Sequence, residues 1–235
     1  KVLVFTATYN EADNIERLIK SIKIKNPEVD LLIIDDNSPD KTAEKIIESQ
    51  KHFENIFLIK RSSKLGLDTA HKAAYEYALK KNYDYLITMD ADFSHDPAEI
   101  NNFILNLKKY PFVIGSRYIL GGQCLMKGKR LILSKYGNRV IKYFLKIDCN
   151  EFTTSFRGFD LKNLKGFHLN SITTKGYSFF MGTIYQIFKQ KFMIKEIPIV
   201  FKDRMKGSSK IPRFEIIRTL KNLLILSLKV RFGKI

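Results

Sequence analysis

The sequence predicts an α/β fold with a mostly parallel sheet flanked by helices. In the first half of the chain, short apolar runs alternate with segments whose apolar residues recur at helical spacing. Strand–helix alternation of this kind makes a mostly parallel sheet with helices on both faces. A length of 235 residues with 45% hydrophobic content suits one domain with a large core.

Five strands and four helices are expected to alternate in the first half of the chain. The strands are predicted at residues 2–7, 30–36, 55–60, 83–90 and 112–117. The helices are predicted at residues 10–22, 38–49, 67–81 and 97–109. The first helix carries Ile15, Leu18, Ile19 and Ile22 on one apolar stripe. Ser38 and Asp40 are expected to start the second helix, and Ser94 or Asp96 the fourth.

The second half is less regular. Residues 121–130 are rich in Gly and Lys, which predicts a mobile lid or a solvated turn. A helix is expected at 134–146, and 192–210 reads as a strand that leads into a basic loop. The amphipathic helix 213–232 is expected to close the chain, which sets a domain boundary after residue 212. Its longest charge-free stretch is far shorter than the ~20 residues that span a bilayer.

The charge is divided unevenly along the chain. Residues 1–100 hold 14 Lys and Arg against 18 Asp and Glu, whereas residues 101–235 hold 27 against 6. This segregation indicates an anionic partner for the second half. Nucleic acid, a phosphorylated substrate and an anionic membrane surface all satisfy that criterion.

Asp90 and Asp92 stand two positions apart where the fourth apolar run ends. In extended backbone, residues i and i+2 project from the same face, so these carboxylates are expected to lie together. Two like charges on one face favour a divalent cation between them. Neither a dinucleotide-binding Gly-x-Gly-x-x-Gly nor a P-loop follows the first strand.

Six motifs in order resemble the family 2 glycosyltransferases of the GT-A fold, in the polyprenyl-phosphate branch of the dolichol-phosphate mannose synthases. They are TYNEADNI, DDNSPDKT, KLGLDTAHKAA, DADFSHDP, GSRY and FKDRMKGSSK, spread over residues 2–212. This resemblance implies a GT-A catalytic domain at 1–212 and an amphipathic C-terminal helix at 213–235. Four positions depart from the family pattern, namely Ala7, Asp68, Ser155 and Gly182.

The resemblance also implies the site residues. The nucleotide is expected to contact Thr8, Tyr9, Glu11, Asp35, Asp36, Lys64, Gly66, Asp90 and Ala91. Mg²⁺ or Mn²⁺ is expected on Asp90, Asp92 and Ser94. The acceptor phosphate is expected to contact Arg117, Arg130, Ser134, Lys202, Arg204 and Lys210. Asp90, Asp92 and Arg117 are the expected catalytic residues, while His95 orients the loop backbone and His71 is structural.

The expected reaction is metal-dependent transfer of a sugar from GDP-mannose or a UDP-sugar to a polyprenyl, dolichyl-type phosphate. Such a phosphate has a second pKa near ~6, so it is already nucleophilic and needs cationic positioning rather than a general base. One alternative is a family 2 transferase that acts on a glycan hydroxyl, which requires a positioned base. The other is a non-enzymatic module that binds an anionic surface or nucleic acid. The acidic rim disfavours nucleic acid as a partner.

A polyprenyl acceptor implies work at a membrane. Segments 134–146 and 213–232 combine apolar faces with Lys and Arg, which is typical of helices that lie in the interface plane. The alternatives are that these faces pack on the core, or that residues 229–235 lead into transmembrane helices outside this sequence. Cys124 and Cys149 show neither zinc spacing nor a disulfide framework, which favours a reducing compartment. We therefore expect a membrane-associated protein on the cytoplasmic face.

Overall fold

A seven-stranded sheet organises the computed structural model, which describes residues 1–203 and 214–232. The strands of this sheet are β1 (Val2–Thr8), β2 (Asp30–Asp35), β3 (Ile56–Lys60), β4 (Tyr85–Thr88), β5 (Phe112–Ser116), β7 (Arg157–Asp160) and β8 (Ile194–Pro198). Two short strands, β6 (Gln123–Cys124) and β9 (Val200–Phe201), pair separately. The helices are α1 (Ile15–Lys25), α2 (Thr42–Gln50), α3 (Leu67–Lys80), α4 (Ile100–Leu107), α5 (Gly128–Leu145), α6 (Ser178–Lys189) and α7 (Phe214–Arg231).

The strand order is β3-β2-β1-β4-β7-β5-β8, which confirms the predicted mostly parallel α/β sheet. The chain adds β2 and β3 on one side of β1 and then returns to place β4 on the other side. The order therefore reverses between β1 and β4. In open α/β sheets, ligands bind outside the carboxyl ends of the strands at such a switch point.

Strand β7 is the one part of the large sheet that the sequence did not predict. It runs antiparallel to both neighbours, β4 and β5. Its segment is only four residues long and contains a glycine, so it lacks the apolar run that marks the other strands. Gly158 fits there because an added Cβ would lie 2.9 Å from Leu107 Cδ1 of α4.

Both faces of the sheet are covered. Successive residues of β1 alternate between two hydrophobic clusters, with Leu3 and Phe5 in one and Val4 in the other. Helices α1, α2 and α4 contribute to the Val4 cluster, whereas α3, α5, α6 and α7 contribute to the Leu3 cluster. This two-sided burial explains why the parallel strands read as nearly continuous apolar runs.

Several predicted boundaries are corrected. Helix α5 begins at Gly128 rather than at 134, and Gln123–Cys124 form β6, so residues 121–130 are not one continuous loop. Helix α2 begins at Thr42, and Asp40 accepts from the Thr42 backbone N–H at 3.1 Å, whereas Ser38 bonds to Asp35 instead. Asp96 caps the short 3-10 helix at Pro97–Glu99, as predicted.

Helix α7 packs on the domain by one face and leaves another exposed. Leu223 and Leu226 are buried in the main core cluster. An apolar stripe on the other face, formed by Ile217, Leu220, Leu224 and Leu228, has each of its side chains more than half exposed. This stripe does not pack on the core. Across residues 1–203 and 214–232, none of the helices has the length and apolar character to cross a bilayer.

Candidate active site

The Asp90–His95 loop lies beyond the end of β4, at the topological switch point. Strand β4 ends at Thr88, so Asp90 and Asp92 do not occupy one face of an extended strand, and that prediction is wrong. The chain turns instead, because Asp92 Oδ1 accepts from the Ser94 backbone N–H at 3.1 Å and Phe93 adopts a left-handed φ of 62°. A bulky residue in that region is uncommon and concentrates at functional sites.

Asp90 is held at two points. Its backbone N–H donates to His95 Nδ1 at 3.1 Å, which is the orienting role predicted for His95. Its carboxylate Oδ1 accepts from the Ser155 hydroxyl at 2.6 Å. The side chain of Asp90 remains one-third exposed (33%), so it is accessible to a ligand.

His95 is a neutral ring in this arrangement. Since Nδ1 accepts the Asp90 N–H, the ring proton lies on Nε2, which is 3.2 Å from the Thr154 hydroxyl. Complete burial lowers the pKa of His95, although the neighbouring Asp90 and Asp92 oppose that effect. His95 therefore bridges the Thr154 hydroxyl and the Asp90 backbone, and so fixes the loop relative to Thr154.

Seven of the nine residues predicted to hold the nucleotide lie at or after the ends of β1, β2 and β3, and the other two, Asp90 and Ala91, follow β4. Asp35 is fully buried, and both its oxygens accept from Ser38, with the Thr8 hydroxyl at 2.9 Å on one of them. Asp35 thus joins the ends of β1 and β2. The ammonium of Lys64 lies 3.9 Å from the centre of the Tyr9 ring. Glu11 accepts from the Asn14 side chain at 2.9 Å.

Asp36 has a partner that the sequence reasoning missed. The Arg61 guanidinium ion-pairs with its Oδ1, and the Gly66 backbone N–H donates to its Oδ2 at 3.2 Å. Gly66 precedes α3 with a φ of 98°, a conformation that suits glycine. The position of Arg61 directly after β3, at the same rim as the other motifs, is the signal that could have identified it.

Arg117 follows β5 and is engaged by Glu151, another residue that was missed. Its Nε and Nη2 donate to the two oxygens of Glu151 at 2.6 and 2.7 Å, and Nη2 also reaches the Thr153 hydroxyl at 2.8 Å. Burial alone would raise the pKa of Glu151, but Arg117 holds it below its ordinary value. Among the described residues, Glu151 and Thr153 thus occupy two of the three Arg117 nitrogens, Nε and Nη2.

The remaining predicted acceptor residues are distributed around this pair. Ser134 accepts from the Tyr118 hydroxyl at 2.7 Å. Arg130 pairs with Asp203 at 3.1 Å, and Lys202 pairs with Asp96 at 3.0 Å. Arg204 and Lys210 lie outside the described residues.

Strand β9 connects the cation side of the site with the acidic loop. The Lys202 backbone N–H donates to the Ser94 carbonyl at 3.0 Å. The Phe201 ring lies 5.4 Å from the His95 ring and 4.8 Å from the Arg117 guanidinium carbon. The structure thus brings Arg117, Lys202 and the Asp90–His95 loop into one site.

The donor set fits a divalent cation shared with a substrate. In the described part of the chain, no three His, Cys, Asp or Glu side chains form a metal-binding group. Mg²⁺ is usually bound by one or two carboxylates together with substrate phosphates, which matches an Asp90 and Asp92 pair. Ser94 Oγ, the third predicted ligand, is buried without a hydrogen-bond partner among the described residues.

The four residues that depart from the family pattern make different contacts in the structure. Ser155 bonds directly to Asp90, and Asp68 Oδ1 accepts from the Gly176 N–H at 3.0 Å. Gly182 lies against Thr174, where any added Cβ would collide with the Thr174 hydroxyl. Ala7 is simply a partly buried strand residue against the core.

Comparisons with known proteins agree with this architecture. Residues 3–167 match the family described as Glycosyl transferase family 2. The polyprenol monophosphomannose synthase of Mycolicibacterium smegmatis is 31% identical over 213 residues, which are 89% of this chain and 80% of that protein. The undecaprenyl-phosphate mannosyltransferase of Micrococcus luteus is 29% identical over 211 residues, with 89% and 87% covered.

Solved structures share the fold. Glucosyl-3-phosphoglycerate synthase from Mycobacterium tuberculosis, in complex with Mn²⁺, UDP and glucosyl-3-phosphoglycerate, has a TM-score of 0.63 at 16% identity, and the match covers 98% of this chain and 77% of that one. The mannosyltransferase PcManGT from Pyrobaculum calidifontis, in complex with GDP-Man and Mn²⁺, has a TM-score of 0.57 at 16% identity, with 97% and 73% covered.

Proposed function

The chain belongs to glycosyl transferase family 2. From that premise we propose that it transfers a sugar from a nucleotide-sugar to a polyprenyl phosphate, with mannose as the first sugar to test. The two curated relatives, which bear the names of polyprenyl-phosphate mannosyltransferases, support this substrate class. The observation that carries the proposal is the juxtaposition of an acidic loop, at Asp90 and Asp92, with the buried cation Arg117. The acidic loop suits a donor diphosphate with its divalent cation, and Arg117 suits an acceptor phosphate.

The donor is held at the switch point. Tyr9, Glu11, Asp36 and Gly66 would contact the base and ribose, since carboxylates accept from base N–H and ribose O–H groups. Asp90 and Asp92 would hold Mg²⁺ or Mn²⁺, which neutralises the charge of the leaving diphosphate when bound. Structures that share this fold contain Mn²⁺ with either UDP or GDP-Man, so both UDP-sugars and GDP-sugars are included in the donor screen.

The acceptor needs orientation rather than deprotonation. A lipid phosphate with a second pKa near ~6 is largely dianionic at neutral pH. Arg117, fixed in place by Glu151, would present its remaining nitrogen to that phosphate, and Lys202 and Arg130 would add positive charge nearby. A fixed cation of this kind stabilises the attacking oxyanion without reorganising during the reaction. We assign the nucleophile to the acceptor itself.

The reaction would occur at a membrane surface, on the cytoplasmic face. Helices α5 and α7 both leave apolar residues exposed, including Leu133, Tyr143 and Leu224. Amphipathic helices with such faces and basic neighbours bind in the interfacial plane. Both cysteines are free, which suits a reducing compartment.

A donor screen followed by a transfer assay tests the proposal. Thermal unfolding is measured with Mn²⁺ and a panel of GDP- and UDP-sugars, because a ligand that binds the native state raises the unfolding temperature. The stabilising donor is then incubated with undecaprenyl phosphate. We expect a lipid-linked sugar product that EDTA abolishes and that Mn²⁺ or Mg²⁺ restores. Donor hydrolysis without a lipid product would overturn the acceptor class.

The two carboxylates provide the matched variants. Asp90→Asn and Asp92→Asn each remove one ligand charge, so both are expected to lower transfer by more than about 100-fold while the unfolding temperature without ligand stays similar. Glu48→Gln, at an exposed ion pair with Lys51 on α2, removes the same charge outside the site and is the control. Near wild-type transfer in either loop variant would contradict the assignment of the cation site.

A further inference from the structure

Ser155 joins the end of β4 to the acidic loop. Its backbone carbonyl accepts a hydrogen bond from the hydroxyl of Thr88, the last residue of β4. Its own hydroxyl donates to Asp90 Oδ1 at 2.6 Å, within the ~2.5–2.7 Å range of a hydroxyl bonded to a carboxylate. Such bonds to a charged group are stronger than bonds between neutral groups. Ser155 therefore sets the direction in which the Asp90 carboxylate points.

A buried cation holds the backbone around Ser155. Arg157, on β7, is 1% exposed, and all three of its guanidinium nitrogens donate to backbone carbonyls. Nε bonds the Thr154 carbonyl at 2.8 Å, and Nη2 bonds the Phe152 carbonyl at 3.2 Å. Nη1 bonds the Phe180 carbonyl of α6 at 2.8 Å. Because the backbone before β7 is fixed in this way, the Ser155 hydroxyl is a rigid donor for Asp90.

The hydrogen bond from Ser155 occupies one oxygen of Asp90 and leaves the other accessible. Among residues 1–203 and 214–232, none donates a hydrogen bond to Asp90 Oδ2. His95 Nδ1 is 3.9 Å from Oδ2, beyond hydrogen-bond distance. Since the side chain is one-third exposed (33%), Oδ2 is the Asp90 atom that a cation in the acidic loop can reach.

A cation that used both Asp90 oxygens would compete with Ser155. Ser155 is 3% exposed, and its hydroxyl makes no other hydrogen bond in the part of the chain that the structure describes. The cation would share Oδ1 with the hydroxyl proton, and these two positive charges repel. A hydroxyl that lost its bond would remain buried without a partner, which costs free energy. Asp90 therefore favours a cation that needs Oδ2 alone.

Divalent cations differ in their need for the second carboxylate oxygen. Mg²⁺ requires a near-ideal octahedron with ligands at about 2.0–2.1 Å, and it completes that shell with water and substrate phosphate. Mn²⁺ likewise prefers an octahedron of oxygen ligands. Ca²⁺ takes about six to eight oxygens at about 2.3–2.6 Å and readily uses both oxygens of a carboxylate. An aspartate with one available oxygen thus suits the smaller ions.

We infer that Ser155 makes the cation site selective for Mg²⁺ and Mn²⁺ against Ca²⁺. The inference rests on the cation site of the proposed function, and it adds a positioning residue that acts through Asp90. By holding Oδ1, Ser155 keeps Asp90 in one orientation and limits it to one coordinating oxygen. Ser155 departs from the family pattern, so this hydrogen bond is a feature of this chain rather than of that pattern.

Competition between Mn²⁺ and Ca²⁺ tests the inference without a sugar donor or a lipid. Mn²⁺ binding is measured from the loss of the electron paramagnetic resonance signal of the free ion, and Ca²⁺ is then added to displace the bound Mn²⁺. For Ser155→Ala, we expect the ratio of Mn²⁺ affinity to Ca²⁺ affinity to fall by at least about five-fold. Ser155→Thr keeps the hydroxyl, so its ratio is expected within about two-fold of wild type. An unchanged ratio in Ser155→Ala would overturn the inference.

A matched control separates selectivity from packing. Ser49→Ala removes another buried hydroxyl, which donates to the Lys45 carbonyl at 2.9 Å on α2. We expect this variant to retain the affinity ratio of wild type. If Ser155 were only structural, Ser155→Ala would weaken Mn²⁺ and Ca²⁺ binding by the same factor, and that result would contradict the inference.

Failure of the proposed function gives a different result. Absence of a lipid-linked product in wild type would refute the acceptor class, and the cation ratios would still decide the role of Ser155. If wild type binds no Mn²⁺, or if Asp90→Asn binds it as tightly as wild type, Ser155 has no cation to select through Asp90. Either result would overturn the inference together with the assignment of the cation site.

Discussion

At the residue scale, the pair of Arg117 and Glu151 has both a structural and a functional role. Glu151 is completely buried, and the Arg117 side chain is 5% exposed. Removing one partner of such a pair leaves an uncompensated buried charge. The sequence indicated Arg117 through a motif after β5, but its partner Glu151 lies 34 residues away, and no pattern in the sequence pairs the two residues.

Arg117→Ala is expected to lower the free energy of unfolding by about 3–5 kcal/mol, because Glu151 is then buried without its counter-charge. Urea denaturation at pH 7 measures the change. Arg130→Ala, at an exposed ion pair with Asp203, is expected to cost less than about 1 kcal/mol. The double variant Arg117→Met/Glu151→Leu is expected to recover stability but not transfer. If Arg117→Ala lowered the free energy of unfolding no more than Arg130→Ala does, the buried Arg117–Glu151 pair would not contribute to stability.

A buried histidine makes stability depend on pH. His71 packs among Phe5, Phe179 and Phe180, and burial, with a contribution from Arg157, lowers its pKa from 6.5 to about 3. The unfolded chain takes up a proton as pH falls below 6.5, whereas the folded chain does not until about pH 3. The contribution of neutral His71 to the free energy of unfolding is therefore fully present above pH 6.5. It is lost by about 1.4 kcal/mol per pH unit as the pH falls from 6.5 towards 3.

His71→Leu is expected to have a shallower loss of stability between pH 6 and 4 than wild type. Urea unfolding at several pH values provides the comparison. His52→Leu, which changes an exposed histidine on the surface, is expected to retain the slope of wild type. Identical slopes for His71→Leu and wild type would show that His71 is not a neutral buried group.

At the element scale, the parallel strands and helices were predictable because their signal is local. Each apolar run of β1, β2, β4 and β5 reports burial on both faces of the sheet. Strand β7 was not predictable, because its position is fixed by contacts with β4, β5 and α4 that are distant in sequence. Thr154 and Ser155 lie just before this strand, and although Ser155 was noted as a departure from the family pattern, its hydrogen bond to Asp90 was not predicted.

Substitutions at two glycines test the packing of the elements that position the site. Gly158→Ala on β7 is expected to destabilise the protein by about 1–3 kcal/mol, because the new methyl overpacks Phe103 and Leu107 of α4. Gly137→Ala within α5 meets no atom within 4 Å and is expected to stabilise by about 0.5–1 kcal/mol. Thermal or urea unfolding measures both. Equal effects would contradict the close approach of α4 to β7.

At the scale of the whole molecule, the charge division in the sequence becomes a spatial division. The acidic first half supplies the rim with Asp36, Asp90 and Asp92, whereas the second half supplies Arg117 and the basic face of α5. A donor diphosphate with its cation and an anionic acceptor can therefore approach from different sides. Composition alone indicated an anionic partner, but only the fold shows that the cations adjoin the acidic loop.

The most direct test of the account is acceptor choice. Wild-type protein with Mn²⁺ and its stabilising donor is offered undecaprenyl phosphate, the corresponding undecaprenol and a soluble oligosaccharide, and the products are identified by mass spectrometry. We predict transfer to the lipid phosphate alone, through a new phosphodiester bond to the sugar, because a dianionic phosphate needs no general base. Comparable transfer to the undecaprenol or oligosaccharide hydroxyl would contradict attack by the acceptor phosphate.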